Sequence, residues 1–192
     1  MIKIIAGLVC CQASTTHFFM TEAEAVALIK SGIPSPSGTW ADLGAGTGMF
    51  TLALRSLLES GTIYAVDKNP HVLWSIAGGG PIEIVVHEAD FTRPLELPPL
   101  DGIVMANALH YAPDPVATLK HILTCLRPGA PFLLVEYETE QAQPPWIPYP
   151  LPFRRFAEIA REAGLSEPEE LERVSSDYGH RYIYSAVAVL EP

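Results

Sequence analysis

Cysteine is nearly absent from this sequence: Cys10 and Cys11 are adjacent, and Cys125 stands alone. No pair has metal-knuckle spacing, and so odd and low a count builds no disulfide framework. A reducing compartment is expected. The neighbouring thiols invite a thiol-dependent site, but free cysteine behaves mostly as a small apolar side chain. Basic residues are scarce as well, with 12 Lys and Arg against 22 acids and a formal net charge of -10. A protein that tracks phosphate backbones needs clustered cations, and Arg154, Arg155 and Arg161 are the nearest approach to a cluster. Nucleic acid is therefore not expected as a partner. The apolar run at the start spans only Ile4 to Cys11, and no other segment approaches the roughly 18 apolar residues of a membrane span. One lysine before that run and no A-x-A site after it make a poor secretion signal. No membrane association and a cytoplasmic location are expected.

What is present fits one ordinary domain: 192 residues, 48% apolar and 18% charged, without repeats or low-complexity tracts. TEAEAVALIK at 21–30 opens with a capping box, Thr21 and Glu24, and predicts a helix ending near Gly32 and Pro34. TWADL predicts a short strand leading into the glycines of LGAGTG. MFTLALRSLLE at 49–59 has helical periodicity, with Gly61 as its stop. Apolar runs at 62–67, 82–90, 101–109 and 132–138 read as buried strands. Between them lie a short helix opened by Pro70 and a longer one over about 114–126. QAQPPWIPYPLPF reads as a stiff surface loop, FRRFAEIAREAGL as a helix capped by Gly164, and ELERVSS with RYIYSAVAVL as a hairpin. Continuous apolar strands alternating with helices imply a doubly wound α/β fold, its sheet mostly parallel with an antiparallel end. The expected organisation is a single domain over 1–192. It comprises an N-terminal segment and capping helix (1–34), a binding core (35–139), a proline-rich loop (140–152), and a final helix and hairpin (153–192).

In open sheets of this kind ligands lie beyond the carboxyl ends of the strands. Each of the first four strands delivers polar or glycine residues there: Gly44 to Gly48, Asp67, Asp90 with Phe91, and Asn107 to Tyr111. Glycines let backbone approach a ligand closely, and the following helix N-terminus suits an anionic group. An acid at the end of the second strand can accept from both hydroxyls of a ribose. Asp90 can accept from an exocyclic amine, with Phe91 over an aromatic face. A dinucleotide fingerprint would place its third glycine three residues after Gly46, where Met49 stands. A phosphate-binding Walker loop would need a Gly-Lys-Ser/Thr that is missing.

The set resembles the class I S-adenosylmethionine-dependent methyltransferases over nearly the whole chain. Asp42 with Gly44-Ala45-Gly46-Thr47-Gly48 is similar to the family's first motif. Asp67 in YAVDKNP and Asp90 in HEADF are similar to its second and third, while IVMANALHY and LRPGAPFLLVEYE are similar to the next two. The resemblance implies a seven-stranded Rossmann-like sheet and S-adenosylmethionine as cofactor, with S-adenosylhomocysteine as product. It implies Asp42, Gly44, Ala45, Gly46 and Gly48 near the methionine portion, Asp67 and Lys68 at the ribose, Asp90 and Phe91 about adenine, and Asn107 beside the methionine end.

Methyl transfer needs alignment above all, so the lack of a triad or metal cluster does not count against it. If a base takes part, His110 is the candidate, with Glu136 and Tyr137 lining the acceptor pocket. His17, Phe18 and Phe19 would form a lid, and Trp146 and Tyr149 would wall an apolar acceptor. The stretch ANALHY lacks the N/D-P-P-Y motif of family members that methylate DNA amines. With the acidic balance, that favours a small-molecule acceptor, in a site left open or completed by a second copy as a homodimer. The rivals are a non-catalytic cofactor-binding relative, a nicotinamide-dependent oxidoreductase, and a protein or RNA methyltransferase.

Overall fold

The computed structural model describes residues 20–176 and 181–191. Seven strands, β1 (Ser37–Leu43), β2 (Ser60–Asp67), β3 (Ile82–Glu88), β4 (Gly102–Ala106), β5 (Pro131–Glu138), β6 (Glu169–Ser176) and β7 (Arg181–Val189), form one sheet in the order β3-β2-β1-β4-β5-β7-β6. β1 to β5 run parallel, and β7 enters antiparallel between β5 and β6. The chain travels outward from β1 to β3 and then returns to pair β4 with β1. That reversal opens a crevice between the ends of β1 and β4.

Alternation along the buried strands explains the two layers. Ala41, Leu43, Ile103, Met105, Phe132 and Leu134 pack on one face with α3 (Pro115–Leu123) and α4 (Phe153–Ala163). Trp40, Val104, Leu133 and Val135 pack on the other with α1 (Glu22–Ile29) and α2 (Met49–Leu57). A period of two with both faces covered is why these segments read as continuous apolar runs.

Several boundaries differ from the sequence reading. Helix α2 ends at Leu57, and Leu58 is already extended. Gly61 lies inside β2 rather than stopping the helix. It sits at φ +132°, where a Cβ would strike the backbone carbonyl of Gly38. The helix expected after Pro70 is a single 3₁₀ turn, Leu73–Ser75, too short to satisfy its own ends. β4 stops at Ala106 because Asn107 turns left-handed, and Leu109–Tyr111 is another 3₁₀ turn. The capping box at Thr21 and the left-handed Gly164 cap are as expected. The proline-rich segment is a surface loop only in its first half: Ile147, Pro150, Leu151 and Pro152 are buried. The 177–180 turn, Cys10, Cys11 and the proposed lid at His17 to Phe19 lie outside the described residues.

Candidate active site at the carboxyl edge of the sheet

The glycine loop is fixed from below before any ligand is considered. The Gly44 and Ala45 N–H groups both donate to the Val66 carbonyl, at 2.8 and 3.0 Å, tying the loop to β2. Gly44 sits at φ +74°, and a Cβ there would come within 2.6 Å of the Ala108 Cβ and 3.2 Å of the Phe91 ring. Only glycine lets the loop pass between β4's exit and Phe91. Gly46 is the opposite case. It is exposed at φ +54°, and a Cβ would meet nothing nearer than 3.9 Å. The backbone at Gly46 is therefore open and unshielded, next to the first turn of α2.

Asp67 borders that open backbone. Its Oδ2 accepts from the Gly46 N–H at 2.9 Å and its Oδ1 from the Asn69 N–H at 2.8 Å. A carboxylate offers about four acceptor positions, so each oxygen keeps capacity for a ligand hydroxyl. Lys68 is exposed beside it. Asp90 is anchored on one oxygen: the Thr92 hydroxyl and N–H both donate to Oδ1, at 2.7 and 2.9 Å. Those bonds hold its carboxyl below the usual range, with Arg93 and Lys68 adding attraction against partial burial. Phe91 leans over Gly44 and packs on the α3–α4 side of the core.

Asp42 is placed differently from the other acids. Its residue is 1% exposed and faces α2, where the Thr51 hydroxyl donates to Oδ2 at 2.6 Å. Sequence reasoning missed Thr51. Its signal is a lone hydroxyl on the apolar face formed by Phe50, Ala53 and Leu54. Burial pushes the Asp42 carboxyl up to about 6, against the opposing pull of Thr51, and nearby Asp67 raises it further. The native state therefore holds this proton between about 4 and 6 while the unfolded chain releases it. The associated stability is complete below about 4 and lost as pH rises through 6, roughly 3 kcal/mol in all. Asp42→Asn should thus gain stability over the wild type between pH 4 and pH 7.5. Paired thermal melts measure that difference, and one that is flat or falls with pH would refute the assignment.

On the other side of the crevice, Asn107 ends β4 at φ +48°, a conformation asparagine tolerates better than most residues. Its N–H donates to the Val135 carbonyl at 2.8 Å, while its Oδ1 is buried without a partner. The following 3₁₀ turn brings His110 against β5. Its Nδ1–H donates to Glu136 Oε2 at 2.7 Å, and its backbone N–H reaches Glu136 Oε1 at 3.2 Å. The two residues are 2% and 1% exposed. With Nδ1 donating to a carboxylate, the neutral ring carries its lone pair on Nε2. That nitrogen is buried and has no partner.

Aromatic groups surround the pair. The Tyr111 ring centroid is 4.4 Å from the imidazole and that of Tyr137 is 6.4 Å. The proline-rich loop is strapped over them: the Tyr149 N–H donates to the His110 carbonyl at 3.1 Å, and the Tyr184 hydroxyl holds the Leu151 carbonyl at 2.7 Å. Tyr149 is exposed, and Trp146 stands 72% exposed at the tip of a turn. No cluster of His, Cys, Asp and Glu suited to a metal occurs among the described residues.

Comparison with known proteins gives this edge a setting. Residues 41–132 match a family model described as a methyltransferase domain. No curated protein sequence matches the chain significantly. Among solved structures the fold is similar to the 1,6-didemethyltoxoflavin-N1-methyltransferase of Burkholderia thailandensis, solved with 1,6-didemethyltoxoflavin and S-adenosylhomocysteine. That match has a TM-score of 0.71 and 21% identity, over 89% of this chain and 78% of that one. It is also similar to a possible histamine N-methyltransferase of Thermotoga maritima, with a TM-score of 0.66 and 14% identity over 89% and 90% of the two chains. The human N-acetylserotonin methyltransferase, in complex with S-adenosylmethionine, gives 0.61 and 17%, covering 90% of this chain and 57% of its own.

Proposed function

We propose that this chain is a class I S-adenosylmethionine-dependent methyltransferase, a reading supported by the methyltransferase-domain match over residues 41–132 and by the similar folds, and that it methylates a small organic molecule with His110 as general base. The cofactor is S-adenosylmethionine, and the residues at the crevice suit it. The open backbone at Gly46 would let the ligand's chain approach closely, and Asp67 has acceptor capacity left for two ribose hydroxyls. The orphaned Oδ1 of Asn107 suits the ammonium of a methionine portion. Asp90 would accept from the adenine amine with Phe91 beside the ring. Asp42 acts indirectly, holding the α2 N-terminus to the glycine loop through Thr51.

The bound cofactor supplies a methyl group on a positive sulfur, which any aligned nucleophile can take. What this chain adds is alignment and a proton acceptor. Positioning contributes roughly 7–11 kcal/mol of barrier reduction in well-oriented reactions. The observation that carries the base assignment is the unpartnered, buried Nε2 of His110, its ring held by Glu136. A small-molecule acceptor is favoured by the net charge of -10 and by the shortness of the proline-rich loop. Two of the structural relatives are named for small-molecule substrates.

A melting experiment tests the cofactor. S-Adenosylmethionine and S-adenosylhomocysteine should each raise the melting temperature, by an amount equivalent to about 2.7 kcal/mol at a hundred times Kd. NAD(H) and NADP(H) should not. The reverse pattern would replace this reading with a nicotinamide-dependent one.

A further inference from the structure

The surroundings of His110 narrow the acceptor. We propose that it is a neutral, planar aromatic molecule whose nucleophilic atom is a ring hydroxyl or a ring N–H. This rests on the methyltransferase reading above and goes one step beyond it.

The first argument is the base itself. A positioned imidazole matters only where the nucleophile starts protonated. Aliphatic hydroxyls give up their proton to imidazole only as the transition state is reached, and carboxylates carry none to give. Phenols and azole N–H groups lie between these extremes. Nε2 of His110 offers a lone pair and has no partner among the protein's groups, a cost the fold accepts in a residue 2% exposed. A ligand O–H or N–H would satisfy it.

The second argument is the shape and charge of the mouth. Tyr111, 45% exposed and 4.4 Å from the imidazole centroid, offers a ring face there, and the exposed Tyr149 is tied to the His110 carbonyl through its N–H. Stacked and edge-on arrangements of aromatic rings favour a planar guest. Of the charged groups here, Glu136 has each oxygen bonded to His110, and Glu138 receives Arg173 and the Phe153 N–H. Arg155 donates to the Pro150 carbonyl, and Arg173 is also held by Glu170. An anionic guest would therefore meet carboxylates and guanidinium groups already engaged. Because Nε2 is sealed from solvent, the guest must displace a covering side chain, and Tyr111 is the exposed ring beside it.

The transfer then balances simply. The acceptor's O–H or N–H gives its proton to Nε2, and its lone pair forms the bond to the methyl carbon. The carbon–sulfur bond breaks with its electron pair going to sulfur, leaving a neutral thioether, a methylated acceptor and an imidazolium facing Glu136.

The test uses the full chain saturated with S-adenosylhomocysteine, titrated calorimetrically. The probes are 2-naphthol, 4-nitrophenol, indazole and benzotriazole, each paired with its O- or N-methylated counterpart, with cyclohexanol and butylamine as non-aromatic controls. At least one phenol or azole should bind about tenfold tighter than its methylated partner. In His110→Gln that preference should shrink to about twofold or less, while the S-adenosylhomocysteine melting shift stays at its wild-type size. Methylated counterparts binding as well as their parents, or a preference for butylamine or cyclohexanol, would overturn the acceptor class while leaving cofactor binding intact. Absence of the melting shift in the wild type would overturn the methyltransferase reading and this proposal together.

Discussion

His110→Gln lowers kcat by about 10²–10⁴-fold and leaves the stabilisation by S-adenosylhomocysteine unchanged. The imidazole is held by Glu136 on β5, and the strap at Tyr149 bonds the His110 backbone carbonyl, whereas the glycine loop is tied to Val66 and Asp67. Removing it should therefore remove the proposed proton acceptor and leave the ties of the glycine loop in place. Glu136 acts through His110, since both carboxylate oxygens are bound to it. Glu136→Gln should lower kcat by a smaller factor, because an amide cannot balance the charge of an imidazolium. The double variant should lose no more than His110→Gln alone, the signature of residues that act as one unit. Steady-state release of S-adenosylhomocysteine with a turned-over acceptor measures all three. A kcat for His110→Gln within about twofold of wild type would refute base catalysis, and additive losses would refute the coupling.

Much of the layering was legible because buried parallel strands carry their own parity. Trp40 and Asp42 share one face of β1, while Phe132, Leu134 and Glu136 share the opposite face of the sheet on β5. That parity alone sends Asp42 toward α2 and Glu136 toward the α3–α4 side, where His110 lies. The boundaries were less legible. Gly61 reads as a helix stop in a one-dimensional pattern, yet its need arises from β1: Gly38 passes too close for any side chain. The segment after Pro70 has helix-compatible residues but too little length to offset nucleation. Only one 3₁₀ turn forms there.

The candidate site shows the same division. Glycine spacing and the strand-end acids mark the cofactor edge because each element delivers its own terminus to one line. Partnerships across elements leave no such local mark. Nothing in the sequence pairs Thr51 with Asp42, nine residues apart through a tight loop. Nor does it pair His110 with Glu136, twenty-six residues apart. Both depend on how deeply a side chain sinks between layers, which sheet twist and helix packing decide. The strap of the proline-rich loop was hidden for a related reason. Its prolines suggest a surface path, but Leu151 is drawn inward by the Tyr184 hydroxyl, a tether from the last strand.

Asp67→Ala abolishes nearly all of the melting shift produced by S-adenosylhomocysteine. The carboxylate has two duties: it accepts the Gly46 and Asn69 N–H groups, and it is the acceptor proposed for the ribose. Hydrogen bonds to a charged group contribute about 1.5–3 kcal/mol each, so losing two to the ligand weakens binding by roughly 10²–10⁴-fold. A ligand held at a hundred times the wild-type Kd would then sit at or below the new Kd. Its stabilisation would fall from about 2.7 kcal/mol to a few tenths at most. The fold itself survives, because Asp67 is partly exposed and water can replace it at both N–H groups. Asp67→Asn should recover part of the shift, since one oxygen remains to accept. The two duties separate in the data. A lowered melting temperature without ligand but an undiminished shift would mean that Asp67 only ties the loop. An unchanged ligand-free protein with no shift would mean that the carboxylate's main work is on the ligand, as its half-open position beside the exposed Gly46 implies.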